Sequence, residues 1–517
     1  MPNLDSFTNI EAYSNQVEIP GIASIIHEDS LNQATHGNHC ELSNTKILAV
    51  YNDVTNNKGM VRIGDRVSDF AIEWGTPVEF YNGAVKQIIP LRLSDTKFLL
   101  TYVLGADDDG YCIAATVSGT TPTFGSVVEF ADATTCYPIG AVLMDTDKVM
   151  IAYQDATVNQ KAIIASISGT TITLGTAATI NSTIDTQVYT TDSQLCKHTS
   201  TLATVVYRVS ATVTEAVTLS LSGTTITVNT AGKAAFGGSA NIGFPAIAAL
   251  DSTKFVIAYT DITDTNKGNS QVGTISGTTI TAGASEYNFD SLNNSARVPS
   301  IVALSDKYFA LMYSSSSGGT FSNECRIAFV SGTVISYYAA STIASGSVSG
   351  STGYYPGMES GGIVRLTYTK ARQLTFSYRS AVLNQFICGM LRQDGTTVNF
   401  VSMCYKVASA SSTQQIEISS VYFKSNIGLF VLSSDYTVEG RSASLYLNGT
   451  FSSNKFYSTS NDKTNYYSAT LFETARLGMS NEPIILAANQ ALYASIGMNQ
   501  GTSSRKGSCT VFGIKRS

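Results

Sequence analysis

Several groups of residues in this sequence have the types and spacing to do chemistry. The densest is the run Asp107-Asp108-Asp109, edged by Gly105 and Gly110, with a second acidic stretch at Asp261-Ile262-Thr263-Asp264-Thr265-Asn266. Carboxylates gathered on a loop are the hard oxygen donors that Ca²⁺ takes. Asp107, Asp108, Asp109, Asp261 and Asp264 are therefore the candidate metal ligands. The same residues also make an ordinary polar hairpin tip, which is the default reading, and no resident cofactor is expected.

His36, His39 and Cys40, with His27 and Glu28 nearby, offer imidazole and thiolate, the ligand types of zinc. Against a metal site, Cys40 and Cys196 share one place in the repeat described below, each eleven residues before a tyrosine, Tyr51 and Tyr207. Glu79 and Glu129 precede Phe80 and Phe130, and a carboxylate pair about 5 to 10 Å apart can cleave a glycosidic bond. Two copies of one exposed strand residue would look the same. A recurring tyrosine, at positions 51, 102, 153, 207, 259, 313 and 378, either packs its ring between sheets or offers it to a sugar. Its regularity favours packing. The sole tryptophan, Trp74, lies outside any Ser-x-Asp-x-Gly-x-Thr-Trp box. There is no Gly-x-Ser-x-Gly elbow, phosphate loop, Cys-x-x-Cys pair or His-Glu-x-x-His motif.

The elements that must position these residues are repeats. Ala162–Ser168, Gly169-Thr170 and Thr171–Gly175 read as strand, tight turn and strand. The turn recurs as Ser118-Gly119-Thr120-Thr121, Ser222-Gly223-Thr224-Thr225 and Ser276-Gly277-Thr278-Thr279. Looser copies stand at Ser331-Gly332-Thr333, Asp394-Gly395-Thr396-Thr397 and Asn448-Gly449-Thr450, an early one at Ser68-Asp69 and a late one at Gln500-Gly501-Thr502. In the early copy, Trp74-Gly75 falls where Leu174-Gly175 does. Upstream of each turn, a polar turn such as Asp95-Thr96-Lys97 or Ser252-Thr253-Lys254 leads into a short apolar run ending in the tyrosine. Those runs are apolar on both faces, as expected of a strand sandwiched between neighbouring sheets.

A repeat of roughly 50 to 63 residues holding four antiparallel strands predicts an all-β propeller, with the Ser-Gly turns at one rim. Seven units are clear over residues 37–410. Two degenerate ones, over 411–517, either complete the ring or form a small C-terminal β-domain. Residues 1–36 stand outside the repeat, with no Lys or Arg before Lys46. Their apolar stretch Ile19–Ile26 is expected to dock by adding a strand to a neighbouring subunit or particle protein, or else to pair with the last blade.

Composition narrows the functional classes. Only 14% of the 517 residues are charged, against about 25% in typical globular proteins, and the net charge is −6. Without a basic run, nucleic acid is not an expected partner. No apolar window long enough to span a membrane is present, and the first residues lack the pattern of a secretory signal. Cys112, Cys325 and Cys388 each precede a turn by six residues, where other units have Ala or Ser, so cysteine reads as a small buried residue and not as a disulfide framework.

The Lys-led strand ending in Tyr, followed by a Ser-Gly-Thr-Thr-Ile-Thr hairpin, resembles the repeats of virion-associated propeller proteins of tailed bacteriophages, such as fibre and adsorption proteins. The likeness covers about residues 40 to 400. It implies a non-enzymatic structural or adsorption protein of the virion, made in the host cytoplasm and oligomeric within an assembly. Its implied partners are other virion proteins and a host-surface glycan or protein. It implies no catalytic residues. A polysaccharide depolymerase and an intracellular scaffold are the alternatives.

Overall fold

A computed structural model of the chain describes side chains within residues 40–340, apart from some connecting loops, and elsewhere the backbone of individual strands. Blade two shows the unit. Val85–Ser94, Lys97–Leu104, Gly110–Ser118 and Thr121–Phe124 follow one another as an antiparallel sheet, and Val128–Ala131 returns to pair with the third strand. The outer position is therefore shared. Thr121–Phe124 covers residues 115–118 of the third strand, and Val128–Ala131 covers residues 110–112. Blades one, three, four, five and six repeat this five-strand plan. The four strand positions expected from the sequence are present, and the second half of the outer one escaped notice because it is short, with three pairs in blade two, and carries no turn signal of its own.

The second strand explains why the blades stack. In Lys97–Leu104 every residue after the lysine is buried, and Lys46–Asp53 and Lys254–Asp261 behave alike. Its alternate residues feed two different cores. Phe98, Leu100 and Tyr102 join Leu48, Val50 and Val61 of blade one, whereas Leu99 and Val103 join Val149 and Ile151 of blade three. Each core is thus shared by two neighbouring blades and belongs to neither alone, the arrangement that lets a long chain avoid a single oversized core.

The Ser-Gly turns are two-residue hairpins, with Ser118 paired to Thr121 and Ser168 to Thr171. Gly169 has φ +63°, while the residue after it has no positive φ, the pattern of a type II′ turn with glycine first. The turn between the first and second strands lies beside it, since Val117 N–H donates to the Thr96 carbonyl and Ile167 N–H to that of Asp147. These two turns form one face of each blade. The loops between second and third strands, and the connections between blades, form the other.

The innermost strands of eight sheets follow one another around a ring. The eighth sheet, built on Ile416–Lys424, Ile427–Ser434 and Ser442–Ser452, returns beside the first strand of blade one, where Ala34 pairs with Ser434. Of the C-terminal part, the ring takes residues through Ser458, and Ile484–Ala487, Gln490–Asn499 and Lys506–Lys515 form a further sheet.

Both of these sheets are completed from the N-terminus. Asn9–Ala12 pairs with residues 512–515, and Ala23–His27 pairs with residues 442–445 of the eighth blade's third strand. Lys455–Ser458 covers residues 449–452 of that same strand. Ala23–His27 therefore holds in blade eight the place that Val128–Ala131 holds in blade two. Of the two expectations for the Ile19–Ile26 stretch, this pairing is the one made within the chain.

Candidate functional site

The loop Gly105–Asp109 connects the second and third strands of blade two, on the face opposite the Ser-Gly turns. Its three aspartates have three different surroundings. Asp107 Oδ1 accepts the N–H of Asp109 at 3.1 Å and so holds the loop's own shape. Asp108 adopts φ +65°, a left-handed backbone that aspartate tolerates better than most side chains. Its carboxylate forms an ion pair with Lys86 on the first strand, and its carbonyl accepts the N–H of Cys136 at 2.7 Å. The Asp109 backbone closes the loop, its carbonyl accepting the N–H of Leu104 at 3.1 Å, and its carboxylate meets Glu129 and Asp132, one oxygen of each lying within 4.8 Å of the others.

The split outer strand builds this cluster. Its second half, Val128–Ala131, pairs Glu129 with Tyr111, so residues some twenty positions apart in the chain arrive side by side. Partial desolvation first, then the carboxylates of Asp132 and Asp109, hold the exposed Glu129 carboxyl above the ordinary carboxylate range. Burial and the neighbouring carboxylates, Glu129 foremost, push the Tyr111 phenol up to about 12. Three carboxylate oxygens around one point form the donor class of a hard cation, although Glu129 and Asp132 are exposed, as acidic groups on surfaces commonly are. Sequence reasoning named Asp109 and Glu129 separately and missed Asp132, because the pairing register that unites them has no signature in the chain.

The second acidic loop is organised otherwise. Asp261 is buried, and its Oδ1 accepts the N–H groups of Thr263 at 2.9 Å and Asp264 at 3.1 Å. Asp264 pairs with Lys267 at 2.7 Å. Asp261 has counterparts two residues after the strand-end tyrosine in blades one and three. Asp53 accepts the backbone and side-chain N–H groups of Asn56 at 3.0 and 2.8 Å, and Asp155 accepts the backbone N–H of Asn159 at 3.1 Å. In each case a buried carboxylate ties a loop by local hydrogen bonds, as Asx turns do.

Glu79 and Glu129 occupy equivalent places in blades one and two. Glu79 pairs with Lys58 at 2.5 Å, so the two glutamates are copies of one strand position and face different neighbours. Trp74 lies under the guanidinium of Arg62, 6.0 Å from its ring centre, and Arg62 Nε donates to the Gly75 carbonyl at 2.7 Å. The side chains of His27, His36 and His39 lie outside the described residues, and Cys40 packs half-buried against the core of blades one and two. Cys112, Cys136, Cys196 and Cys325 are buried free thiols.

Six of the seven recurring tyrosines are internal, and the side chain of the seventh, Tyr378, lies outside the described residues. Tyr51, Tyr102, Tyr153, Tyr207, Tyr259 and Tyr313 are all buried between blades. The Tyr153 ring meets Phe130 edge-on at 5.3 Å, and that of Tyr102 meets Phe80 at 5.2 Å. The Tyr313 hydroxyl lies 2.6 Å from Glu324 Oε2 and 3.0 Å from the Phe289 carbonyl, and Tyr207 donates to Glu215 at 3.0 Å. The packing role accounts for all six.

No protein-family model and no curated protein matches the sequence. Among solved structures, the chain is similar to the BP39L lectin from Burkholderia pseudomallei, at 8% identity over 71% of this chain and 99% of that one, with a TM-score of 0.46. Sqt1 from Chaetomium thermophilum aligns at 9% identity over 81% and 97%, with a TM-score of 0.45. A prolyl endopeptidase aligns at 10% identity over 78% of this chain, TM-score 0.43, and the alignment spans 54% of that enzyme's length. These are β-propeller-like proteins, and the likeness is one of fold.

Proposed function

We propose that the chain is a non-enzymatic structural or adsorption protein of a virus particle, using the propeller as a rigid frame for binding loops. One observation carries this reading: the motif residues that recur from blade to blade are absorbed by the frame. The tyrosines fill cores, the Ser-Gly turns pack against the preceding blade, and the recurring aspartates tie loops. What varies is the opposite face, where the loops between second and third strands of blades one to six run from two to five residues and differ in composition. A constant frame with varied loops suits recognition.

In this reading the partners are other particle proteins and a host-surface glycan or protein. Neither nucleic acid nor a membrane interior is contacted, no resident cofactor is needed, and the chain works as one subunit of an assembly. Purifying particles from infected cells tests it: the chain should co-purify with them in fixed proportion. Its absence from particles would overturn the proposal.

A second reading, a carbohydrate-active enzyme, draws on Asp109, Glu129 and Asp132, one carboxylate oxygen of each lying within 4.8 Å of the others. Incubation with capsule or cell-wall glycan separates the two. Reducing or unsaturated sugar released by the purified chain, and lost in Asp109→Asn, would favour the enzyme.

A further inference from the structure

The sheet that follows the ring repeats the plan of a blade. Ile484–Ala487, Gln490–Asn499 and Lys506–Lys515 stand in the order first, second and third strand, and Asn9–Ala12 takes the outer position against residues 512–515. In blade two Thr121–Phe124 covers the closing residues of the third strand in the same way. The ring nevertheless closes without this ninth sheet. Ala34 pairs with Ser434, and Ala23–His27, in the outer position of blade eight, lies beside Ala71–Trp74 of blade one. Among the described residues, the strand of the ninth sheet that lies against the ring is Ile484–Ala487, next to Ser442–Ser452 and Lys455–Ser458.

The register of the two long strands sets their faces apart, since alternate residues of a strand belong to opposite faces. On one face the pairs run from Leu492 with Gly513, through Ile496 with Cys509, to Met498 with Gly507, and no position of that face between them holds a charged, amide or hydroxyl residue. On the other face Ser495 stands with Thr510 and Gly497 with Ser508. An apolar sheet face is stable only when another layer covers it.

Elsewhere in this protein the cover of a blade face is another blade. Phe98 and Leu100 of blade two share a core with Leu48 and Val50 of blade one, and the innermost strands of blades one to eight neighbour one another around the closed ring. A second copy of the chain brings a matching surface, its own ninth sheet. We propose that two copies pair through this face, their ninth sheets packed against each other about a twofold axis. This pairing follows from the fold and is independent of any role in a particle. Two ten-residue strands about 33 Å long in a sheet of four strands offer on the order of 500 Å² per copy and about 1,000 Å² in all, so the dimer is weak and depends on concentration.

Sedimentation of the full chain between about 0.1 and about 100 μM tests this, and should show monomer giving way to dimer. Ile496→Asp, in the middle of the apolar face, should weaken the dimer at least about tenfold, whereas Ser495→Asp, on the other face of the same strand, should leave it unchanged. Hydrogen exchange on the unmodified chain decides even where a variant fails to fold. Amides of 490–499 and 506–515 should exchange about tenfold more slowly at a concentration about ten times the dissociation constant, and those of Gln160–Ser168 in blade three should not change. A chain that stays monomeric throughout overturns the proposal. So does a dimer that Ile496→Asp weakens no more than Ser495→Asp does, or exchange at 490–499 that is independent of concentration, as a cover from within the same chain would give.

Discussion

Gly125 lies directly against the carbonyl of Thr170, so close that a Cβ on the glycine would overlap that oxygen. Gly125 follows the outer strand of blade two, and Thr170 is the last residue of the Ser-Gly turn's loop in blade three. A like contact joins Gly175 to the carbonyl of Thr224 and Gly232 to that of Thr278, while Gly75 meets the side chain of Thr120 first and Gly283 approaches Thr333 more loosely. The turn glycines themselves, such as Gly119 and Gly169, have open space around them and are glycine for their positive φ.

Two kinds of glycine should thus respond differently to the same change. Gly125→Asn is expected to destabilise by about 3 kcal/mol or more, because backbone on both sides cannot yield. Gly119→Asn should cost less than about 1 kcal/mol, since asparagine visits the left-handed region and meets nothing there. Urea unfolding of the two variants gives the comparison, and equal losses would contradict the packing described.

The strand-end tyrosines offer a second contrast. Tyr313→Phe removes the hydroxyl that serves the buried Glu324 and should cost about 1–3 kcal/mol. The Tyr102 hydroxyl is buried with no hydrogen-bond partner among the described residues, so Tyr102→Phe should be neutral or slightly stabilising. Thermal melts of both variants check the order.

Thiol chemistry should be silent in the folded chain. Burial pushes Cys112, Cys136 and Cys325 up to about 12, so their thiolate fraction near pH 8 is negligible and reagent access is poor. Native protein treated with iodoacetamide at pH 8 is expected to stay unmodified at these three positions, and protein in guanidinium to be fully alkylated, as peptide mapping would show.

Much of the frame was legible because its requirements fall on single residue types at fixed spacing. The type II′ turn demands glycine first, so Gly119, Gly169, Gly223, Gly277 and Gly332 mark the hairpins of blades two to six, and the paired Trp74-Gly75 and Leu174-Gly175 mark where one blade touches the next. The site was less legible. Asp109, Glu129 and Asp132 meet through a strand that needs only three pairs to hold it, and Asp261 looks like a ligand until its loop is closed around it. Alternation also hid the kinship of Asp261 with Asp53 and Asp155, which hold its place in blades one and three.

Removing residues 1–30 should test the pairing of Ala23–His27 with the eighth blade. Because Ser24 lies opposite Ser444 in the middle of this short pairing, the truncated subunit should melt clearly lower on its own. A truncated chain that melts unchanged yet fails to enter assemblies would instead assign the segment to docking.

The glycine-to-threonine approach repeated at five seams bears on how such a chain can grow. A unit duplicated in tandem presents a glycine to the copy that follows and a turn to the copy that precedes, so it arrives already fitted on both sides. Insertion or loss of a whole unit then perturbs no local chemistry and leaves curvature alone to be reconciled, at the one place where the first and last sheets meet. Chain length in relatives of this protein should accordingly change in steps of one repeat, while the loops of the opposite face diversify freely.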